Sequence, residues 1–158
     1  MSILDQIRQR AASNLQHIVL PEGEDPRTIA AAGAAARQRI ARITILGDEE
    51  KVRAAARQAG ADLGGVELID PARAGDLDKM VSLFYEARRA KGMTIDEVRN
   101  ALRDPLYYGN LMIRAGRADG SVAGATNTTS HAWATVTSSP LLQASAKAVS
   151  ASRKTYPP

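Results

Sequence analysis

No cysteine occurs anywhere in the 158 residues. Thiol nucleophiles, thiolate-ligated zinc and disulfide staples are therefore excluded, and a reducing compartment is consistent with the composition. Aromatic residues are scarce, with one Trp, four Tyr and one Phe. Little is available to interleave with bases, so stacking on nucleic acid is not expected. Apolar runs are only a few residues long, too short for a membrane-spanning helix. The opening Met1-Ser-Ile-Leu-Asp-Gln-Ile-Arg8 mixes acid and base where a signal peptide carries an apolar core. His17 and His131 stand far apart without metal-ligand spacing, so no metal is expected.

Acids are missing from one end. All 17 lie in residues 1–119 with 18 of the 21 bases, whereas residues 120–158 hold Lys147, Arg153 and Lys154 and no acid. The net charge of +4 therefore comes mostly from the final stretch, and the body is near neutral. A near-neutral body is not a basic footprint for nucleic acid. Neither a nucleic-acid nor a membrane partner is expected.

What is present suffices for a core: 44% of residues are hydrophobic and 24% charged. A chain of this size buries roughly two-thirds of its unfolded surface. Residues 2–13 have helical apolar spacing behind Ser2 as a possible cap. His17-Ile-Val-Leu20 is a short apolar run stopped by Pro21, a buried strand. Asp25 then caps a helix with Pro26 at its first position, running to about residue 39. Ile43-Thr-Ile-Leu46 is the second strand, Asp48 caps a helix ending before Gly60, and Val66-Glu-Leu-Ile-Asp70 is the third strand. Helices over about 76–91, 94–102 and 105–116 follow, the second opening on the capping box Thr94-x-x-Glu97, and residues 118–125 read as a fourth strand. Strand–helix alternation with short joints predicts an α/β fold: an open, doubly wound, mostly parallel sheet between helical layers, a three-layer αβα arrangement. Beyond Gly120 the character changes, with 13 Ser or Thr against six in the first 119 residues. A Ser/Thr/Ala-rich stretch without acids is poor material for a packed element.

Ligands of open α/β sheets bind beyond the carboxyl ends of the strands, where three segments should converge. Pro21-Glu-Gly-Glu-Asp-Pro-Arg27 is either an anion site at a helix start or a turn and cap needed for backbone reasons. Gly124-Ala-Thr-Asn-Thr-Thr-Ser-His131 is a Gly-led, hydroxyl-dense loop that could hydrogen-bond a phosphate or carbonyl, or a polar loop with no ligand; it lacks the Lys and spacing of a P-loop. Arg88, Arg89 and Lys91 close a helix, where cations complement the dipole whether or not they bind anything. His131 could serve as a base, but no nucleophile–base–acid set accompanies it.

These segments, with Ile45-Leu-Gly-Asp48, Ile69-Asp-Pro71, Phe84-Tyr-x-x-Arg88 followed by Lys91-Gly-Met-Thr94, Asp104-Pro-x-Tyr-Tyr-Gly109 and Ala118-Asp-Gly-Ser-Val-Ala-Gly-Ala125, keep one order. Over about residues 1–131 the sequence resembles the N-terminal half of a phosphate acetyltransferase or phosphate butyryltransferase. The resemblance implies a cytoplasmic, usually dimeric α/β enzyme moving an acyl group between coenzyme A and phosphate, with no metal and no permanently bound cofactor, coenzyme A being a substrate. It implies a phosphate or acyl-phosphate site at Arg88, Thr126, Asn127, Thr128, Thr129 and Ser130, with Arg88 facing the same cleft as residues 126–130. The family's catalytic Asp and Ser–Arg pair belong to a second lobe that these residues do not include, so no catalytic residue is assigned and the sheet is expected to be incomplete relative to the family. The family continues past the hydroxyl loop into a helix with an early Arg, whereas this sequence reads His131-Ala-Trp-Ala-Thr-Val136. Residues 132–158 are therefore expected to be a tail foreign to the family, as a frameshift would give, and the chain an acyltransferase fragment inactive alone. The alternatives are a non-catalytic binding or regulatory module, or a small α/β protein with its own ligand.

Overall fold

The structure, a computed structural model, describes residues 2–126. Asn127, Thr128, Thr129, Ser130, His131 and the tail at 132–158 lie outside the described residues.

Helix α1 (Ile3–Ser13) precedes strand β1 (His17–Leu20), then come α2 (Pro26–Arg37), β2 (Arg42–Leu46), α3 (Glu49–Gln58) and β3 (Val66–Ile69). Helix α4 (Leu77–Arg88) leads through a 3₁₀ turn (Arg89–Lys91) to α5 (Ile95–Ala101), α6 (Pro105–Arg114) and β4 (Gly120–Ser121). The strands form one sheet in the order β3-β2-β1-β4, and every pairing is parallel. The strand–helix alternation of the sequence is thus realised as a doubly wound sheet. No helix among the described residues is long and apolar enough to cross a membrane.

Local chemistry sets the helix starts. Ser2 and Thr94 close capping boxes with Asp5 and Glu97. Asp25, Asp48 and Asp104 accept hydrogen bonds from first-turn amides of α2, α3 and α6, and Pro26 and Pro105 occupy first-turn positions where no N–H is needed. Gly92, at φ 81°, ends the 3₁₀ turn in the left-handed region. It stops the expected 76–91 helix, which is regular only to Arg88.

Alternation along the strands feeds two cores. Leu20, Ile43 and Ile45 pack with Ala32 of α2 and Val52 of α3 on one face. On the other, Val19 and Leu46 meet Met80, Val81 and Phe84 of α4, Val98 and Leu102, and Tyr108, Leu111 and Met112 of α6. Each such side chain taken from water contributes about 1.5–3 kcal/mol before its ordering cost. Gly23 and Gly109 let backbone approach closely. A Cβ on Gly23 would lie 2.5 Å from Ile45 Cγ2 and 2.6 Å from the Leu46 carbonyl, and one on Gly109 would lie 3.2 Å from both Leu46 and Val19 side chains. Helix α1 stands apart, with no buried residue and with Ile3, Leu4 and Ile7 exposed.

A polar chain crosses the second face near the strand starts. Arg42 Nη2 lies 2.9 Å from His17 Nδ1, His17 Nε2 lies 2.7 Å from Thr44 Oγ1, and Thr44 Oγ1 donates to Glu67 Oε2 at 2.7 Å. A guanidinium only donates, so His17 Nδ1 accepts and Nε2 carries the proton passed to Thr44. The His17 amide donates to Asp119 at 2.7 Å.

The expected fourth strand at 118–125 is shortened to Gly120–Ser121. Ladder bonds flank it, Asp119 N to His17 O at 2.8 Å and Val122 N to Val19 O at 3.0 Å. Gly124, at φ 114°, then turns the chain, and the next amides point to a side chain instead of a neighbouring strand.

Candidate functional site

From β1 the chain winds outward to β2 and β3, and β4 returns to the other side of β1. The direction of winding reverses between β1 and β4, and at such a switch point a crevice opens at the carboxyl ends of the strands. The segment after β1 and the segment after β4 meet there.

Glu22 makes the join. Its side chain is buried, with the residue 7% exposed. Oε2 accepts the amides of Gly124 at 2.8 Å and Ala125 at 2.6 Å, while Oε1 accepts the amide of Thr126 at 3.0 Å and its hydroxyl at 3.2 Å. Arg27 grips the same stretch from the other side by donating to the Ala125 carbonyl. Its guanidinium is also bonded to Asp25, through Nε at 3.1 Å and Nη2 at 2.8 Å. These bonds, ahead of those from the amides of Arg27 and Thr28, hold the Asp25 carboxyl down to about 2 and raise the guanidinium's own pKa.

This arrangement realises the cap expected within residues 21–27. The first amides of α2 are satisfied by Asp25 of the same chain, so the helix start is a capped end. Thr126, the one hydroxyl residue of the expected site that is described, turns both its amide and its hydroxyl proton to Glu22.

Arg88 lies on α4. It closes that helix, is 8% exposed, and lies with Cζ 5.6 Å from the centroid of the Phe84 ring. Phe84 in turn sits 6.2 Å from the Tyr107 ring, near the start of α6, and Gly109 one half-turn on lies against Val19, Leu46 and Pro21. The C-terminal part of α4 therefore flanks the part of α6 that covers the carboxyl ends of β1 and β2. Arg88 Nε is buried without a hydrogen-bond partner among the described residues. Arg89, by contrast, is exposed and pairs with Glu86 at 3.2 Å.

A second polar cluster lies where α4 begins. Asp76 does not cap its helix; it accepts from the Tyr108 hydroxyl at 2.7 Å and pairs with Arg117. Burial, then the Asp76 bond, pushes the Tyr108 hydroxyl up to about 12. Neither this cluster nor the Glu22 join was visible in the sequence, because their partners lie 32, 41 and 102–104 residues apart.

The sequence profile described as phosphate acetyl/butaryl transferase matches residues 2–152. The chain belongs to that family. The phosphate acetyltransferase of Acetivibrio thermocellus is 42% identical over 131 residues, which are 83% of this chain and 39% of that one. That of Corynebacterium glutamicum is also 42% identical, over 123 residues, 78% of this chain and 37% of its own. Among solved structures, a phosphotransacetylase from Streptococcus pyogenes superposes with a TM-score of 0.79 at 32% identity, covering 86% of this chain and 42% of that one. The EutD phosphotransacetylase from Staphylococcus aureus gives 0.74 at 32% identity, over 84% and 41%. As a phosphate acetyl/butaryl transferase family member, the chain thus spans about two-fifths of the length of these relatives.

Proposed function

We propose that these residues form the N-terminal part of an acyltransferase site that moves an acyl group, acetyl in the first instance, between coenzyme A and inorganic phosphate. The observation that carries this reading is the meeting of residues 21–27 with residues 124–126 at the sheet's switch point, in a member of this family. In the reaction a coenzyme A thiolate attacks the acyl-phosphate carbonyl, the carbon–oxygen bond to phosphate breaks, and phosphate leaves with the electron pair. Arg88 supplies a flat guanidinium suited to two phosphate oxygens, and its buried unpartnered Nε is a donor held ready for an anion. The Asn127 amide and the hydroxyls of Thr128, Thr129 and Ser130 complete the phosphate or acyl contacts in this reading. No permanently bound cofactor is needed in this scheme, and the enzyme works in the cytoplasm as a homodimer.

In this reading the base that deprotonates the thiol and the Ser–Arg pair that steadies developing charge are assigned to the part of the family's length that the chain does not span. A positioned base is worth about 10²–10⁴-fold and each electrostatic stabiliser about 10²–10³-fold. The 158-residue chain is therefore expected to bind phosphate without turnover. The test adds acetyl phosphate and coenzyme A to the purified chain, alone and mixed with a full-length homologue, and follows phosphate binding by NMR. Saturable shifts at the Arg88 Nε–H without turnover support the reading. Turnover at ordinary enzyme rates by the chain alone, or no effect of phosphate or acetyl phosphate on Arg88, overturns it.

A further inference from the structure

Among the described residues, the bonds at Glu22 divide evenly. Each carboxylate oxygen receives two donors, Oε2 from the amides of Gly124 and Ala125, and Oε1 from the amide and hydroxyl of Thr126. Hydrogen bonds to an ionised, buried acceptor are shorter and stronger than neutral ones. Arg27 adds the complementary contact on the Ala125 carbonyl. Both polar groups of residue 125 are thereby fixed by residues 22–27, the turn after β1 and the first turn of α2. Three consecutive amides pointing inward form a concavity of the kind that binds phosphate, yet here the seat is filled by the protein's own carboxylate.

We infer that Glu22 is a positioning residue for the phosphate side of the site: its carboxylate sets the backbone of residues 124–126, directly before the residues assigned to phosphate. This rests on the proposed reading of residues 127–130 as phosphate contacts. It also reassigns Thr126, whose two donors hold the frame while the anion is met by Arg88 and by residues further along. The charge is essential to the device. Glutamine in the same place would present one oxygen and one NH₂ group. Whichever way it turned, two of the donors would face another donor.

The experiment uses the whole 158-residue chain, with Glu22→Gln, Glu22→Ala and the unsubstituted protein compared. Amide exchange is read at residues 124–126, and inorganic phosphate is titrated by NMR. In the unsubstituted chain the three amides should exchange slowly. Glu22→Gln, which keeps the side-chain volume, should free them and weaken phosphate binding about tenfold or more, the loss expected for bonds to a charged group. Glu22→Ala should do the same, and added formate, a free carboxylate that fits the vacated seat, should restore both readouts in part. A role confined to packing would show no such rescue. If Glu22→Ala fails to fold, Glu22→Gln carries the comparison. Free exchange of these amides in the unsubstituted chain, or undiminished phosphate affinity in Glu22→Gln, overturns the inference. Protected amides with no phosphate binding by the unsubstituted chain overturn the proposed function instead, and leave Glu22 a clamp of the fold alone.

Discussion

The Tyr108 hydroxyl donates to Asp76 Oδ1 at 2.7 Å, so the residue placed to cap α4 is held by α6 instead. Tyr108 is fully buried, and Arg117 reaches the other oxygen of Asp76. The bond ties the beginning of one helix to the body of another across a layer that is otherwise apolar.

The titration of Tyr108 follows from this. Burial and Asp76 push its hydroxyl from 10.0 up to about 12. The folded state therefore keeps a proton that the unfolded chain loses first. The stability it contributes is complete below pH 10 and is lost as the pH rises toward 12. An alkaline absorbance titration should show a tyrosine phase near pH 12, and Tyr108→Phe should remove that phase. A late phase that persists in the variant would refute the assignment.

Asp25 acts at the other end of the scale. Its carboxyl is held down to about 2, chiefly by the Arg27 guanidinium. A depressed acid stabilises the fold above its ordinary value of 3.8 and ceases to do so as the pH falls toward 2. Asp25→Asn keeps a capping oxygen but not the charge. The stability difference between the two proteins should be largest above about pH 4 and shrink toward pH 2. A difference that does not vary with pH would show that the charge contributes nothing.

Gly23→Ala should be damaging for a steric reason. Its methyl group would lie 2.6 Å from the Leu46 carbonyl, backbone that the sheet holds in place, and 2.5 Å from Ile45 Cγ2. Forcing an extra methyl into a packed site costs about 1–3 kcal/mol. Gly75→Ala, where nothing lies within 4 Å, is the control and should be nearly neutral. Thermal unfolding of the two variants checks both, and equal midpoints would contradict the packing.

Thr44→Val keeps the shape of Thr44 and removes the hydroxyl that links His17 to Glu67. Two polar groups then lose their partner, at about 1–3 kcal/mol. Thr44→Ser should recover most of the loss. Chemical denaturation midpoints measure both, and a variant as stable as the parent would mean that water replaces the hydroxyl.

Most of the layering was legible because it is written locally. Pro21 ends β1, Asp25 and Pro26 start α2, Gly92 stops the helical run after α4, and the alternation in Ile43–Leu46 sorts side chains to two faces. The same signals that make a strand of residues 118–125 are correct as far as Val122, where ladder bonds end. What redirects the chain after that is Glu22, more than a hundred positions earlier, and no local pattern carries such a pairing. Arg88 is singled out by the resemblance of Phe84-Tyr-x-x-Arg88 to a family motif, and the structure lays its guanidinium against the Phe84 ring one turn earlier. Glu22 has no role of its own in a local reading of residues 21–27, because a carboxylate between Pro21 and Gly23 looks like surface chemistry until its partners are in view.

The span between Glu22 and its partners, 102 to 104 residues, also sets an order of events during synthesis. A ribosome adds about 5–20 residues per second, so Glu22 is made roughly 5–20 s before Gly124 exists. Throughout that interval β1, β2 and β3 can pair, because their contacts are closer in sequence, while the carboxylate at the end of β1 stays hydrated. The crevice is thus the last part of the described structure to close. A nascent chain halted before residue 124 should already hold the three-stranded sheet and still lack the site.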